Sequence, residues 1–324
     1  MKRLFYVILS LCLACLSLAK DVKILTIGNS FSASAFVYLP KIVETFSEHT
    51  LILESANHPG CSFERHWNYI TAEEKDSTVS KYNKEKITQS FCKEKSTPKS
   101  QSRGCNRLSD ILKSKKWDII TIQQQSAKSS QRETFYPYAD NICDYIKKYA
   151  SNAEIVIHQT WSYRCDEPRI AKGGTWGIDQ TKMFRLIESC YDELAQKKNL
   201  RILPMGRAVQ NYRLAEKKPF KPFSKEYLKS FKYPKLPSNK GDVIGSYFWR
   251  KNKAGTQILC TDYTHLNNEG EYLQACLWFG FFYDEDPINI KYVPKKIDVS
   301  DAKLMREIAS KTLKEFKQPR DKNK

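Results

Sequence analysis

The amino-acid sequence predicts an α/β protein of three layers, in which a five-stranded parallel sheet lies between two layers of helices. Two observations lead to this prediction. Five short runs rich in Ile, Val and Leu lack clean alternation, which is typical of strands that are buried on both faces. Helical patterns separate most of these runs, and alternating strands and helices are typical of a parallel sheet covered by helices.

The predicted elements follow one another regularly along the chain. The strands are expected at residues 22–27, 50–55, 117–122, 154–158 and 200–204. The helices are expected at residues 36–46, 107–115, 136–149 and 178–197. Ligands of such sheets bind beyond the carboxyl ends of the strands, so the residues that directly follow the strands are expected to share a functional edge. These residues are Ser30, Gly60, Gln123, Gln124, Gln125 and Trp161.

Two basic segments do not fit the alternation and are expected to be insertions over the functional edge. Residues 71–106 are polar and Lys-rich, and residues 216–251 carry four prolines among aromatic residues. A basic amphipathic helix is predicted near the carboxyl end. The length of the chain allows one large core, so we expect one domain over residues 20–299, followed by a C-terminal helix and tail over residues 300–324.

Residues 1–19 are typical of a secretory signal peptide, because a short basic start precedes an apolar run and small residues close it. The run is shorter than the roughly twenty residues that a membrane-spanning helix needs. We therefore expect a secreted or periplasmic protein without a transmembrane span in its mature form. A lipid anchor at Cys15 is the alternative.

The formal net charge is +18 at pH 7. A basic excess outside the cell favours acidic partners such as an anionic polysaccharide, although a solvated Lys-rich surface explains it equally well. The sequence contains no recognised nucleic-acid-binding motif, so nucleic acid is not an expected partner.

Cysteine usage is compatible with an oxidising compartment. The chain contains ten cysteines, and the eight that follow the predicted leader are an even number, which permits disulfides in an exported protein. Cys92 and Cys105 flank a polar loop and are the expected pair, whereas Cys143 and Cys276 lie in apolar helical patterns and are expected in the core. Among these eight cysteines, neither a CxxC motif nor a Cys/His cluster points to zinc.

A serine and a distant histidine supply the parts of a nucleophilic site. Ser30 directly follows the first strand, where a helix start would surround it with backbone N–H groups. His265 follows Asp262 at a spacing that lets the carboxylate orient the imidazole, and a serine, a base and an orienter are the parts of serine hydrolysis. The simpler interpretations are a helix cap at Ser30 and a solvated loop at His265.

Two further groups are candidate donors to an oxyanion. Gly60 follows the second strand and offers an unobstructed backbone N–H. Gln123, Gln124 and Gln125 end the third predicted strand, and buried amides there must find partners, which indicates that they line a polar site. The alternative for Gly60 is an ordinary turn.

The order of these blocks resembles the SGNH (GDSL-like) hydrolase superfamily, and within it an uncharacterised bacterial branch that begins with GNSFS instead of GDS. The blocks are Gly28-Asn29-Ser30-Phe31-Ser32, Gly60-Cys61-Ser62-Phe63-Glu64-Arg65-His66, Ile122-Gln123-Gln124-Gln125-Ser126 and Asp262-Tyr263-Thr264-His265-Leu266. The resemblance implies a flavodoxin-like SGNH hydrolase fold. It also implies that Ser30 is the nucleophile, His265 the base and Asp262 its orienter.

The resemblance implies an oxyanion hole made of the N–H groups of Ser30 and Gly60 and of an amide side chain. The family's asparagine in the third block has no identical match, and Gln125 takes its place, with Gln123 or Gln124 as alternatives. Asn29 stands where the usual first block has aspartate.

Asn29, His66 and Trp161 are candidate substrate-binding residues that would shape the pocket. Trp161 can stack on a sugar ring, although core packing is its simpler role. Together these features predict an exported serine esterase that removes acetyl or other short acyl groups, expected to come from carbohydrate, without a metal or organic cofactor. The alternatives are a non-catalytic carbohydrate-binding or surface protein on the same scaffold, and a sugar O-acyltransferase.

Overall fold

The computed structural model describes residues 19–82, 91–92 and 107–319, with the backbone alone at 91–92. The predicted signal peptide and the alternative anchor at Cys15 fall outside these residues, except for residue 19. The predicted Cys92–Cys105 disulfide also falls outside the described side chains. Within the described part of the chain, no helix is long and apolar enough to cross a membrane.

A six-stranded sheet forms the centre of the molecule, in the order β3-β2-β1-β4-β5-β6. The five predicted strands are β1, β2, β4, β5 and β6, and all of them run parallel, so the predicted fold class is confirmed. The antiparallel two-residue β3 is an addition at one edge. The strands are β1 (Asp21–Ile27), β2 (Thr50–Ser55), β3 (Phe91–Cys92), β4 (Ile119–Ile122), β5 (Glu154–His158), β6 (Arg201–Leu203), β7 (Ile244–Lys251) and β8 (Gln257–Leu266).

Ten α-helices in the described residues connect or cover these strands. They are α1 (Ser30–Ala33), α2 (Ala35–Val43), α3 (Phe63–Lys75), α4 (Leu108–Lys113), α5 (Tyr138–Tyr149), α6 (Gln180–Lys198), α7 (Met205–Ala215), α8 (Lys225–Ser230), α9 (Asn268–Tyr283) and α10 (Val299–Glu315). Helices α2, α7 and α10 pack on α9, while α3 and α4 pack on α5. Together with the sheet between them, they form a three-layer α/β architecture.

The register of the sheet aligns the carboxyl ends of its central strands. Ile27 pairs with Ile122, and Ile122 pairs with Ile157. The residues that follow these strands therefore lie at one edge of the sheet, as the sequence predicts. Ser30 and the glutamine run belong to this edge.

Helix α9 is the apolar centre of one helical layer. Every residue from Tyr272 to Tyr283 is buried, on all sides of the helix, which is typical of a helix enclosed by other elements. Asn267 caps its amino end, because its side-chain oxygen accepts a hydrogen bond from the backbone N–H of Gly270 at 3.0 Å. The predicted C-terminal helix corresponds to α10, which packs directly on α9.

The segment predicted as a second insertion contains regular structure that the sequence did not reveal. Its first part carries the short helix α8, and its last residues form β7, which pairs with β8 in an antiparallel hairpin. The Asp262–His265 motif therefore lies on a strand and not in a loop. Ser246 pairs with Asp262 across the hairpin, next to a bulge between Ile244 and Ser246.

Five cysteines with described side chains are free thiols. These are Cys143, Cys165, Cys190, Cys260 and Cys276. Cys143 and Cys276 are buried in α5 and α9, in agreement with their expected place in the core.

Candidate active site

Ser30 is the first residue of α1, three residues beyond the end of β1. Asn29 caps this helix, because its side-chain oxygen accepts a hydrogen bond from the N–H of Phe31 at 3.0 Å. The backbone N–H of Ser30 has no acceptor among the described residues. The local fold therefore presents a hydroxyl together with a free backbone donor at the edge of the sheet.

The structure brings together the three residues predicted as nucleophile, base and orienter. Ser30 Oγ lies 2.9 Å from His265 Nε2, although 235 residues separate them in the chain. His265 Nδ1 lies 2.7 Å from Asp262 Oδ2. The two hydrogen bonds connect the hydroxyl through the imidazole to the carboxylate, which is the geometry that nucleophilic catalysis by serine requires.

The hydrogen bonds that the Asp262 carboxylate accepts keep it ionised. Its partial burial opposes ionisation, but hydrogen bonds from the His265 ring and from the backbone N–H groups of His265 and Thr264 outweigh it. These bonds hold the pKa of Asp262 well below its usual range. The carboxylate is thus able to stabilise an imidazolium. The His265 side chain is 43% exposed, so a substrate can reach it.

Packing from the sheet edge fixes the strand that carries Asp262 and His265. Trp161 Nε1 donates to the carbonyl of Thr264 at 2.9 Å, and the N–H of Arg164 donates to the carbonyl of Tyr263 at 3.0 Å. The Phe31 ring stacks on Trp161 with centroids 4.1 Å apart and presents an edge to the His265 ring. The imidazole is therefore positioned by contacts on its own strand and from the first block.

Arg164 is a positioning residue that sequence reasoning missed. Its guanidinium is completely buried, forms two hydrogen bonds with Asp166, and lies over the rings of Phe220 and Tyr247. These contacts join the sheet edge to β7 and to the segment that precedes it. A single arginine two residues before an aspartate gives no sequence signal of such a role.

The predicted direct contacts of Asn29, His66 and Trp161 with substrate are wrong, because all three side chains are buried. Trp161 is covered by Phe31. The Asn29 amide donates to the carbonyl of Cys61 at 3.1 Å. The His66 ring contacts the carbonyl of Gly28 and the hydroxyl of Tyr82, and burial lowers its pKa to about 3, so it is neutral. These residues shape the site from behind instead of lining it.

Gly60 lies at the surface, with a left-handed backbone at φ +58°. Its loop is bound to the loop of the nucleophile, since the N–H of His58 donates to the carbonyl of Gly28 at 3.1 Å. The bond from the Asn29 amide to Cys61 makes a second connection. The structure therefore places the second block beside Ser30 and leaves the backbone of Gly60 open to solvent. Its role as an oxyanion donor stays a prediction.

Two of the three candidate glutamines are occupied elsewhere. Gln123 is buried and contacts Ser32 and His158. Gln124 is buried, accepts from the N–H groups of Phe63 and Gln125, and donates to Thr134. These contacts contradict the alternative assignments of Gln123 and Gln124 to the oxyanion hole.

Gln125 differs from its two neighbours because its side chain is partly exposed. Its oxygen accepts from the N–H of Lys128 at 3.1 Å, and its amide nitrogen has no acceptor among the described residues. Gln125 therefore remains the candidate for the third donor. Of the same described residues, no group of three or more His, Cys, Asp or Glu side chains could hold a metal ion.

The chain belongs to the family described as "Domain of unknown function (DUF4886)", whose model matches residues 23–230. A structure of a DUF4886 family protein from Bacteroides uniformis is 22% identical, with a TM-score of 0.64, and the match covers 91% of this chain and 96% of that one. This likeness shows that the two proteins share a fold. The search of curated proteins gave no match.

Two further solved structures resemble the chain less closely. One, from Slackia heliotrinireducens, has a description that proposes an SGNH hydrolase; it is 14% identical, with a TM-score of 0.41, over 79% of this chain and 96% of that one. The other, from Parabacteroides merdae, has a description that proposes a GDSL-like lipase; it is 12% identical, with a TM-score of 0.42, over 81% of this chain and 95% of that one. These comparisons show the DUF4886 family and a shared fold. The resemblance of the sequence blocks to the SGNH superfamily stays a prediction.

Proposed function

We propose that this protein is a serine ester hydrolase in which Ser30, His265 and Asp262 form the catalytic triad. One observation carries the proposal: the hydrogen bonds of 2.9 Å and 2.7 Å that connect the serine hydroxyl, the imidazole and the carboxylate. A histidine that is both bonded to a serine and oriented by a carboxylate is able to accept the hydroxyl proton during attack.

The proposed reaction proceeds in two halves. Ser30 Oγ attacks the ester carbonyl carbon while His265 Nε2 takes its proton, and the electron pair of the carbonyl moves to the oxygen. When the tetrahedral intermediate collapses, the bond to the alcohol breaks and His265 returns the proton to the leaving oxygen. Water then attacks the acyl-enzyme in the same way and releases the acid.

The oxyanion of each intermediate needs donors placed beside Ser30. We assign this role to the backbone N–H groups of Ser30 and Gly60 and to the amide of Gln125, because the first has no acceptor among the described residues and the other two are accessible. The buried neighbours Gln123 and Gln124 support the loop around the site instead.

We extend the proposal to acetyl or other short acyl groups carried by carbohydrate. The support is the exposure of the triad: the His265 side chain is 43% exposed, so its imidazolium form can protonate the leaving oxygen of an alcohol that belongs to a large molecule. The basic start and apolar run at the amino end support export, and an exported protein would meet extracellular glycans.

Replacement of Ser30 by alanine tests the proposal. We expect Ser30→Ala to abolish hydrolysis of p-nitrophenyl acetate while circular dichroism and the melting temperature remain those of the parent. Ser34→Ala is the matched control, since Ser34 lies four residues away and its hydroxyl bonds only to the Ser30 carbonyl in the described structure. Undiminished turnover in Ser30→Ala would refute the triad.

A non-catalytic carbohydrate-binding protein is the second candidate. It is favoured by Asn29 in place of the usual aspartate and by the loss of two of the three glutamines as oxyanion donors. A fluorophosphonate probe separates the two candidates, because it labels only an activated serine. Labelling that disappears in Ser30→Ala supports the hydrolase; no labelling of the parent protein supports the binding protein.

A further inference from the structure

Half of the net positive charge lies in one stretch of the chain, residues 217–259, called here the basic aromatic segment. It contains eleven Lys or Arg and two acidic residues, a net charge of +9 out of +18 for the whole chain. All eleven basic side chains are exposed. They are Lys217, Lys218, Lys221, Lys225, Lys229, Lys232, Lys235, Lys240, Arg250, Lys251 and Lys253.

The charges of this segment are almost entirely unneutralised. Among the described residues, Lys240 is the only one of the eleven with an ion pair, and its distance to Asp298 is 3.4 Å. Ten exposed like charges within one stretch of the chain repel one another, and their combined field attracts a polyanion. The segment is therefore complementary to a partner that carries repeated negative charges.

Exposed aromatic rings lie among these charges. Tyr227, Tyr233 and Phe248 are between 42% and 61% exposed, so about half of each ring remains free. Tyr227 packs on Phe223 with centroids 4.9 Å apart, and Tyr233 packs on Trp249 at 6.1 Å. The covered half holds each ring in place while the free half can stack on the C–H face of a sugar.

The segment leads directly to the proposed triad. Phe248 pairs with Cys260, two residues before Asp262, which is about 7 Å along a strand. The hairpin extends six residues beyond Asp262 to Thr256, roughly 20 Å. A polymer that follows the hairpin therefore passes the catalytic serine with several of its units in contact with the protein.

We propose that the basic aromatic segment is the docking surface for an anionic polysaccharide whose units carry carboxylates. One part of this inference, that the bound polymer presents its acyl esters to Ser30, rests on the proposed hydrolase function. Lysines bind the carboxylates, and the half-covered rings stack on the sugar units between them.

Two other polyanions compete as occupants. An anionic membrane binds aromatic side chains that protrude and insert, whereas here the rings are half covered and separated by lysines. A single-stranded nucleic acid also stacks on rings in a basic groove. The position of the segment beside an ester-cleaving triad favours the polysaccharide over both.

Binding is measured on Ser30→Ala protein, so that no ester is turned over. The probe is polygalacturonate, and its neutral counterpart is the same polymer with every carboxylate methyl-esterified. We expect polygalacturonate to bind at least about tenfold more tightly than the neutral polymer, with an affinity that falls as salt is added. Equal binding of both polymers overturns the proposal, as does tighter binding to single-stranded DNA or to phosphatidylglycerol vesicles.

Charge reversal within the segment gives the matched comparison. Lys229→Glu, Lys232→Glu and Lys235→Glu together are expected to weaken polygalacturonate binding by about tenfold or more. The control variant makes the same change of net charge outside the segment, with Lys295→Glu, Lys303→Glu and Lys311→Glu together. We expect it to change the affinity for polygalacturonate by less than about threefold. Equal losses would mean that total charge alone drives binding and would overturn the assignment to this segment.

The outcomes also separate this inference from the proposed function. With Ser30 intact, the first triple variant should still hydrolyse p-nitrophenyl acetate at the parent rate, because its lysines are not part of the triad. Hydrolysis without polymer binding overturns the docking surface alone. Polymer binding without hydrolysis overturns the hydrolase alone.

Discussion

At the scale of single residues, the site depends on a carboxylate that does more than neutralise charge. Asp262 orients the imidazole through Oδ2, and through Oδ1 it accepts the backbone N–H groups of Thr264 and His265. The same side chain therefore sets both the tautomer of His265 and the turn that carries it. Its depressed pKa means that it stays ionised wherever an imidazole can act as a base.

We expect Asp262→Asn to lower kcat on p-nitrophenyl acetate by about 10³–10⁴, because the amide can no longer stabilise the imidazolium. Stability should respond to pH in a defined direction. A carboxyl whose pKa is depressed on folding stabilises the native state above its unfolded pKa of about 3.9 and loses this contribution as the pH falls through the folded value. Asp262→Asn should therefore flatten the acid side of a stability curve measured by urea unfolding. An unchanged kcat would contradict the assignment.

Two adjacent glutamines should respond differently to the same substitution. Gln124→Ala removes a buried amide with hydrogen bonds to Phe63 and Thr134 and should lower the free energy of unfolding by about 1–3 kcal/mol. Gln125→Ala should leave stability within about 0.5 kcal/mol. If its amide serves the oxyanion, Gln125→Ala should lower kcat by about 10²–10³ without a comparable change in KM. A normal kcat in Gln125→Ala would remove this residue from the oxyanion hole.

At the scale of elements, the hairpin of β7 and β8 determines the position of His265, because β8 carries this residue. The hairpin contacts the sheet edge through Arg164, whose Nη1 atom lies beside the position that a Cβ would take at Gly245 in the hairpin bulge. Gly245 has φ +90°, a conformation that favours glycine, and an added Cβ would lie 2.6 Å from Arg164 Nη1 and 2.9 Å from the carbonyl oxygen of Asp262. The bulge is thus a close contact between the hairpin and the buried arginine.

We expect Gly245→Ala to lower the free energy of unfolding by about 2 kcal/mol or more, because the added Cβ meets Arg164 in addition to the backbone strain at a positive φ. It should also lower kcat, because the displaced carbonyl belongs to Asp262. Gly255→Ala is the matched control: Gly255 also has a positive φ, of +79°, but no atom lies within 4 Å of the added Cβ. Chemical denaturation and p-nitrophenyl acetate kinetics measure both effects. Equal effects of the two substitutions would show that the arginine contact is unimportant.

The hairpin also marks the limit of what the sequence predicts for single elements. The buried strands were predictable, because Ile119–Ile122 and its neighbours are continuous apolar runs that only a covered sheet explains. Strand β7 begins with two buried residues, Ile244 and Gly245, and ends with exposed basic residues, without a regular alternation. From the sequence it is therefore assigned to a basic insertion. The position of the hairpin against the sheet edge depends on the packing of Arg164, which is distant in sequence, so no short window reveals it.

At the scale of the whole molecule, the order of the blocks predicts the site better than the environment of each residue. Parallel strands with aligned ends bring Ser30 and the glutamine run to one edge, and this follows from topology. The burial of a single side chain does not follow from topology. Trp161 directly follows a strand at this edge, yet Phe31 covers it. His66 approaches the same edge and is covered by Tyr82, and such covering depends on tertiary packing.

The whole sheet also needs protected edges, because an open edge strand exposes unpaired backbone groups. Strand β3 covers one edge. At the other edge the side chain of Gln318 takes the place of a neighbouring strand: its oxygen accepts from the N–H of Ile202 at 2.8 Å, and its nitrogen donates to the carbonyl of Ile202 at 3.0 Å. The residues after α10 thereby return to the sheet and close it.

We expect Gln318→Ala to open this edge, because both backbone groups of Ile202 lose their partner. The free energy of unfolding should fall by about 1–2 kcal/mol, and the amide hydrogen of Ile202 should exchange faster by a factor of about ten or more. Lys317→Ala is the control, since it changes a neighbouring side chain without a bond to β6 in the described structure. Hydrogen exchange followed by mass spectrometry or NMR gives the measurement. Unchanged exchange at Ile202 in Gln318→Ala would show that the strand is protected by other contacts.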